Sequence, residues 1–359
     1  MIFIVPSRPA VAYSTECKWS NSTIGYSYKN LTATDQTDMN LAITDWKDVP
    51  VSISLSLNAN NDIYYYSVSN GGVSWDGITY YSCNLFGQMV GTTSVYINDY
   101  FTNGYVRQER QSVEAHETGH AIGLAHSSLG SALMNCCTGT RWGTYHIFVP
   151  VYDDVSGAQS LYVSPSSTPQ NLCVISVADS PQCVWNSNLY QQPNINLYVT
   201  TSTTGAFASV WPGSSSVHLP GSNTYVIYTF MSPITTYRYS TGVYLAENPY
   251  DTSQRFMTIE VDDDGFKMVQ SGSSPLSIAS GPTEQYWYWL TLVVQNGLPA
   301  YAYAEQTTGG SGYTWLGYGS MSLNYAWSTS VYAGNGVWTD SSSNPASNYV
   351  TYWWWDLGH

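Results

Sequence analysis

Apolar and polar positions follow one pattern up to about residue 163 and another beyond it. The first part combines short alternating segments with two segments of helical periodicity. The second part holds only short alternating segments, separated by Gly, Ser and Asn. Alternation with a period of two indicates half-buried strands, and a period near 3.6 indicates amphipathic helices. The chain is therefore predicted to contain an α+β domain followed by an all-β domain.

The first part is predicted to contain two main helices. One is expected over residues 35–46, with Thr34 as its N-cap and an apolar stripe along one face. The other is expected over residues 108–122. Strands are predicted in the segment that Trp19 opens and at residues 51–57, 63–68 and 94–98.

The second part is predicted to be an antiparallel β-sandwich. Its Asp264-Gly265 dipeptide is typical of a hairpin turn. The concanavalin-like or laminin-G type is the expected fold, although no motif specifies it. The clearest strand patterns lie at residues 225–230, 256–261, 287–294 and 349–355.

Three boundaries follow from these patterns. Residues 164–171 are rich in Pro and Ser and are predicted to be a linker between a domain at 13–163 and the β-sandwich at 172–359. Residues 1–12 include an apolar run and end in Ala-Val-Ala. We interpret them as the remnant of a signal peptide, with a native N-terminal strand as the alternative. No segment is apolar for 18 residues, so no membrane-spanning helix is predicted.

Composition limits the classes of partner that the protein can bind and indicates its compartment. The chain has 24 acidic and 10 basic residues and a net charge of −14, which argues against nucleic acid or an anionic membrane surface as a partner. Its six cysteines are an even number, as in proteins of oxidising compartments, so the protein is predicted to be secreted.

The cysteines leave several pairings open. Cys17, Cys83, Cys136 and Cys137 fall in the first part. A bond between the neighbours Cys136 and Cys137 is strained, so each is expected to pair with Cys17 or Cys83. The competing interpretation makes Cys136 and Cys137 metal ligands. In the second part Cys173 and Cys183 are predicted to close a local loop; these two are ten positions apart.

One short segment carries candidate chemistry. His116 and His120 are four residues apart and share one face of the predicted helix, so both can reach one metal ion. Gly123 permits the turn that returns His126 as a third ligand. Three nitrogen ligands leave one position of a zinc ion open, as in catalytic sites, and Glu117 stands next to His116 without being a ligand itself.

The histidine segment and the residues after it resemble the metzincin zinc peptidases. Met134 lies eight residues after His126, at the place of the metzincin Met-turn. Asp153 and Asp154 resemble the start of the last helix of the matrixins, the matrix-metalloproteinase branch. The resemblance covers residues from about 17 to 163. Gly123, Met134, Asp153 and Asp154 would then support the site without taking part in catalysis.

The resemblance implies a fold and an activity. The fold would be an α+β metzincin catalytic domain with a mixed five-stranded sheet and three helices, with residues 94–98 as the edge strand along which an extended substrate lies. The activity would be that of a secreted zinc endopeptidase acting on proteins or peptides. Zn²⁺ would be held by His116, His120 and His126, and Glu117 would take the proton from the attacking water.

Some matrixin features are missing or changed. The chain has no Pro-Arg-Cys-Gly switch peptide, and no histidine precedes His116 to form a second zinc site. A structural ion would therefore be an oxygen-ligated Ca²⁺, for which Asp62, Asp76 and Asp99 are scattered candidates. Residues 135–151 should wall the S1′ pocket, but their composition does not reveal the preferred side chain.

Two other function classes are considered. The first is a glycan- or surface-binding module that carries an inactive peptidase scaffold, and the second is a hydrolase acting on a non-peptide amide. Tryptophans stack on sugar rings, but in strands they also pack in cores. Asp262–Asp264 could likewise bind Ca²⁺ or form a solvated turn. The tryptophans that could contact carbohydrate are Trp287, Trp289, Trp315, Trp327, Trp338 and Trp353–Trp355.

Overall fold

The computed structural model describes residues 12–162 apart from positions 22, 48, 50, 58 and 59 and the side chain of position 34. In the rest of the chain it describes the backbone of the strands. It also describes there the side chains of residues 242–247, 256–262, 264–282, 286–295, 297–306 and 314–324. The chain divides into two compact units, one at Val11–Pro165 and one that includes Ser166–His359. Residues 1–11 of the predicted signal remnant and most of the predicted linker lie outside the described residues.

The N-terminal unit contains a mixed five-stranded sheet, as expected. Its order is β3-β2-β4-β6-β5, with parallel pairing except between β5 and β6, and β1 pairs with β7 separately. The strands are β1 (Ser14–Thr15), β2 (Thr23–Tyr28), β3 (Ser54–Leu57), β4 (Ile63–Val68), β5 (Gly77–Tyr80), β6 (Thr93–Asn98) and β7 (Leu124–Ala125).

Two details of this sheet differ from the prediction. Residues 94–98 fall in β6, which lies between β4 and β5, so the prediction of an edge strand there is wrong. The edge is β5, which had not been predicted because its residues are half exposed and show no alternation in burial. Five helices are present among the described residues instead of three: α1 (Ala33–Lys47), α2 (Asp99–Thr102), α3 (Arg107–Ala121), α4 (Thr138–Arg141) and α5 (Tyr152–Leu161).

The first helix begins at Ala33, earlier than predicted. The Thr32 hydroxyl accepts a hydrogen bond from the amide of Asp35, and the Asp35 carboxylate accepts one from the amide of Thr32. This reciprocal pair is a capping box, so Thr32 takes the role that had been assigned to Thr34. Helix α1 then packs on α3, where the Trp46 indole donates to the carbonyl of Ala115 at 2.7 Å.

The cysteine pairing also differs from the prediction. Cys17 is bonded to Cys83, with their Cα atoms 6.0 Å apart, whereas Cys136 and Cys137 are free and exposed. The reason is local backbone pairing: the residue after Cys17 exchanges hydrogen bonds with Gly87 and Met89, which brings the strand-like segment of Cys83 alongside. Cys173 and Cys183 lie opposite each other in backbone register, and their side chains are not among those described.

The C-terminal unit is built from two antiparallel sheets. Their orders are β10-β22-β13-β18-β19-β20 and β17-β16-β15-β14-β21-β11-β8-β9, and β12 also pairs with β21. The strands are β8 (Gln170–Ser176), β9 (Gln182–Asn186), β10 (Ile195–Val199), β11 (Phe207–Pro212), β12 (Val217–His218), β13 (Thr224–Pro233), β14 (Tyr239–Ala246), β15 (Phe256–Asp262), β16 (Gly265–Gln270), β17 (Leu276–Ser280), β18 (Trp287–Gln295), β19 (Ala300–Thr308), β20 (Gly312–Met321), β21 (Ser330–Thr339) and β22 (Ala346–Asp356).

Side chains from both sheets share one apolar cluster. Leu245 and Ile259 come from one sheet, and Leu290 and Ala302 come from the other; all four are fully buried. Such interdigitation is what two sheets packed face to face produce. The all-β prediction for this part is thus supported, while the concanavalin-like or laminin-G type stays a prediction.

Described side chains bear on the candidate tryptophans and on the acidic turn. Trp289 belongs to the core, and its indole donates to Thr291, whereas Trp287 and Trp315 are half-buried. The side chains of Trp327, Trp338 and Trp353–Trp355 lie outside the described residues.

At the predicted hairpin, Asp262 accepts hydrogen bonds from the amides of Asp264 and Gly265, and Lys267 pairs with Asp262 at 2.6 Å. No helix among the described residues is long and apolar enough to cross a membrane.

Candidate metal centre

Three imidazoles converge at the end of α3. His116 and His120 lie one turn apart on this helix, and their ring centroids are 4.7 Å apart. The His126 ring lies 5.3 Å from that of His116 and 4.8 Å from that of His120. One nitrogen of each residue lies within 4.8 Å of the others, and in the described part of the chain no other group of His, Cys, Asp or Glu does so.

Backbone carbonyls orient two of these rings. His116 Nδ1 lies 2.8 Å from the carbonyl oxygen of Leu133, and His120 Nδ1 lies 2.7 Å from that of Leu124. An Nδ1–H that donates to a carbonyl leaves Nε2 as the atom with a free lone pair. The two Nε2 atoms are 3.1 Å apart and face the same point.

The rings are also kept neutral. Burial, followed by the positive charge of Arg141, lowers the pKa of His116 well below its usual value. Burial lowers the pKa of His120 to about 4. Neutral imidazole is the form that binds a metal ion, so this donor set suits Zn²⁺.

Gly123 carries the chain from the helix to the third histidine. Its φ is +107°, a value that favours glycine, and its amide donates to the carbonyl of His120 at 2.9 Å. A Cβ at this position would lie 2.0 Å from the carbonyl oxygen of Cys17. Backbone conformation and close packing therefore both require glycine here.

Met134 lies beneath the histidines. It is buried, and a Cβ added to Gly119 would meet its sulfur at 2.3 Å, which places the thioether against the inner face of α3. Gly119 had not been singled out from the sequence, because its role depends on this contact between distant segments.

The paired aspartates hold backbone amides. Asp153 accepts from the amides of Ala12 and Tyr13 at 2.7 and 3.0 Å and from the Ser127 hydroxyl at 2.6 Å. Asp154 accepts three amides at 2.8 to 3.0 Å, which belong to Leu133, Met134 and Val151. These contacts fix the turn at Met134 and the start of α5, and neither carboxylate lines the cleft that holds the histidines.

Glu117 faces a cleft that contains the three histidines. Its Oε2 accepts a hydrogen bond from the Thr79 hydroxyl at 2.7 Å, and burial raises its pKa to about 7. Thr79 lies on the edge strand β5 and was missed by the sequence analysis. The cleft has a volume of about 690 Å³. It is lined by Glu16, Ser74, Trp75, Asp76, Gly77, Ile78, Thr79, Tyr81, Phe101, Tyr105, His116, Glu117, His120, Ala125, His126, Cys136, Cys137, Thr138, Gly139 and Arg141.

The alternative metal ligands are not brought together. Cys136 and Cys137 line the cleft, but their thiols are not part of the histidine group. The candidate calcium ligands have separate partners: Asp62 accepts the amide of Gly25, Asp76 accepts the Tyr105 hydroxyl, and Asp99 pairs with an arginine. The structure therefore gives no support to the predicted Ca²⁺ site.

The matrixin resemblance is confirmed by comparison with known proteins. Residues 18–163 match the model of the matrixin family, Peptidase_M10, so this part of the chain is a matrixin-like domain. A 70-residue segment is 40% identical to stromelysin-1 of Mus musculus. That segment is 19% of this chain and 14% of the stromelysin, so the similarity spans a small part of the relative's length.

Solved structures resemble this chain only distantly. Lectin I of Ulex europaeus has 8% sequence identity and a TM-score of 0.36, over 52% of this chain and 91% of the lectin. The carbohydrate recognition domain of Emp47p has 11% identity and a TM-score of 0.34, over 55% of this chain and 92% of that domain. With TM-scores this low, neither likeness specifies the fold of the C-terminal unit.

Proposed function

We propose that the matrixin-like domain at residues 18–163 is the catalytic part of a secreted zinc endopeptidase. The observation that supports this most strongly is the convergence of His116, His120 and His126 in a cleft that also contains the buried carboxylate of Glu117. Three imidazole nitrogens with an accessible fourth side are what a catalytic zinc ion requires.

Zinc, when bound by these three nitrogens, would supply the Lewis acidity that polarises a carbonyl and acidifies water. The residues of the chain do the rest. Glu117 accepts the proton of the attacking water and delivers it to the leaving amine. Thr79 holds the Glu117 carboxylate in one orientation through its hydroxyl, and the carbonyls of Leu133 and Leu124 hold two of the rings.

The substrate class comes from the family match. Matrixins are peptidases, so we propose proteins or peptides as substrates. The rival hypothesis of an inactive scaffold on a glycan-binding module is less favoured, because Glu117 and all three histidines are in place. Secretion is supported by the disulfide between Cys17 and Cys83, a bond typical of oxidising compartments. Carbohydrate contact by the C-terminal unit stays a prediction.

One set of incubations separates the hypotheses. The purified full chain is incubated with denatured casein, with a polysaccharide and with a non-peptide amide, each with and without a chelator. A zinc endopeptidase cleaves casein alone, stops when the chelator is added and recovers when zinc is restored. Cleavage of polysaccharide or of the non-peptide amide, or proteolysis that survives removal of all metal, would contradict the proposal.

A further inference from the structure

The cleft contains a buried arginine that the proposed mechanism does not use. Arg141 ends α4, lines the cleft and is 1% exposed. Among the described residues it is the only Lys or Arg that lines the cleft. It lines the same cleft as His116, His120 and His126. Arg141 is therefore a fixed positive charge near the three rings.

Both hydrogen-bond partners of this guanidinium are neutral. Nε donates to the Ser112 hydroxyl at 3.0 Å, and Nη1 donates to the carbonyl of Asn135 at 3.0 Å. These bonds use two of the five N–H donors of the side chain and none of those on Nη2. Within the described part of the chain no carboxylate forms an ion pair with Arg141. Burial lowers the pKa of Arg141, and the negative charges of Asp76 and Glu117 oppose that shift without an ion pair to it. The guanidinium therefore has carboxylates in its surroundings but, among the described residues, none bonded to it.

The carboxylates that line the cleft are engaged elsewhere. Glu117 accepts the hydroxyl of Thr79, and Asp76 accepts the hydroxyl of Tyr105 at 3.3 Å. Burial and the charge of Glu16 raise the pKa of Tyr81, so Glu16 lies beside that hydroxyl. The N–H groups of Nη2 have no acceptor among the described residues, and neighbouring N–H groups of a guanidinium match the two oxygens of a carboxylate.

We propose that Arg141 binds the carboxylate of an acidic substrate side chain next to the scissile bond, so that the peptidase prefers Asp or Glu at that position. The proposal rests on the endopeptidase function and adds the substrate class to it.

The first test uses the full chain without mutation. Mass-spectrometric mapping of cleavage in a peptide library gives the residues on either side of the scissile bond. At the selective position, matched peptides then carry Glu, Gln or Leu. The expected kcat/KM for Glu exceeds that for Gln by roughly tenfold or more, as for a hydrogen bond between charged groups. Equal values for Glu and Gln, or a library without acidic enrichment, would overturn the proposal.

Variants separate recognition from a structural role. Arg141→Met should abolish the preference for Glu over Gln, and Arg141→Lys, which keeps the charge, should retain part of it. Arg107→Gln is the matched control, because Arg107 lies on α3, pairs with Asp38 at 2.9 Å and does not line the cleft. If Arg141 had only a structural role, its replacement would lower the rates for all peptides together. The ratio of kcat/KM for the Glu and Gln peptides would then stay unchanged, and this result would refute recognition. If Arg141→Met fails to fold, the test is the ratio of kcat/KM for the Glu and Gln peptides in Arg141→Lys. A ratio equal to that of the wild type would count against recognition.

A binding measurement distinguishes this proposal from the endopeptidase function itself. Fluorescence anisotropy with a labelled Glu peptide and its Gln counterpart reports binding to Glu117→Gln, which does not turn the peptide over. Tighter binding of the Glu peptide, combined with no cleavage of any peptide by the wild type, would leave Arg141 as an acid-binding group and remove the peptidase function. Equal binding of the two peptides would remove the role of Arg141.

Discussion

The two units differ in the buried charged groups that accompany their apolar cores. In the N-terminal unit charged groups are enclosed: Arg110 lies among Asp35, Asp99 and Glu114, and all but Asp99 are buried. In the described part of the C-terminal unit the core is an apolar cluster from two sheets, and Glu305 is the buried charged residue there. Both units therefore have an apolar core, and the N-terminal unit also encloses a network of paired charges.

This difference shows where the chemistry resides. Apolar packing tolerates exchange of side chains of similar volume, whereas a buried polar network fixes the positions of its members and fails when one is removed. A catalytic site needs such fixed positions. The candidate metal centre lies in the unit with the enclosed charges, and substitutions in the two units should therefore affect activity and stability in different ways.

The largest effect is expected from the loss of a proposed zinc ligand. His116→Ala should abolish peptidase activity and most of the bound zinc, because two remaining imidazoles bind the ion far more weakly. Zinc analysis of the purified protein and casein cleavage measure both losses. The control is His146→Ala, which lies outside the histidine group and should retain zinc. Full zinc content in His116→Ala would contradict the assignment.

The second prediction concerns the hydrogen bonds of Asp154, which is not one of the proposed zinc ligands. Asp154→Leu leaves three buried amides without an acceptor and should lower the free energy of unfolding of the N-terminal unit by about 3 to 6 kcal/mol. Asp154→Asn keeps one acceptor oxygen and should cost less. Urea denaturation measures both variants. Equal stability of Asp154→Leu and wild type would show that the network does not hold the turn at Met134.

The third prediction concerns the apolar core of the C-terminal unit. Leu290 is fully buried in the shared cluster, so Leu290→Ala should destabilise the C-terminal unit by about 2 to 5 kcal/mol. Casein cleavage should not change at a temperature where both units stay folded. The exposed Leu276→Ala serves as the control, with little effect on unfolding. A parallel loss of casein cleavage in Leu290→Ala would show that activity also depends on the apolar core of the C-terminal unit.

The smallest effect is expected from a buried acid away from the site. Burial raises the pKa of Asp45 well above its usual value, so the folded unit retains a proton that the unfolded chain releases near pH 4. Stability should therefore fall as pH rises above that point. Asp45→Asn keeps an acceptor for the Gln111 amide and should be more stable than wild type at pH 8, but not at pH 4. Thermal unfolding at the two pH values tests this, and an equal gain at both would contradict it.

The features predicted correctly are those that local spacing determines. His116 and His120 share a helix face because they are four residues apart, and Gly123 marks the turn after the helix. The strand patterns of both units are local for the same reason. Thr79 was missed, and Arg141 was included only as part of the predicted S1′ wall at residues 135–151 without a role of its own. The contacts of both residues join distant segments, which spacing does not reveal. The pairing of Cys17 with Cys83 likewise depends on how the segment after Cys17 meets that of Met89, which spacing does not reveal.

The most direct test of the central claim is the activity of Glu117→Gln at known zinc content. This variant keeps the three imidazoles but removes the carboxylate that accepts the proton. We predict one zinc ion per chain, as in the wild type, and casein cleavage slower by a factor that corresponds to about 4 kcal/mol or more of barrier. Wild-type cleavage by zinc-loaded Glu117→Gln would contradict the account.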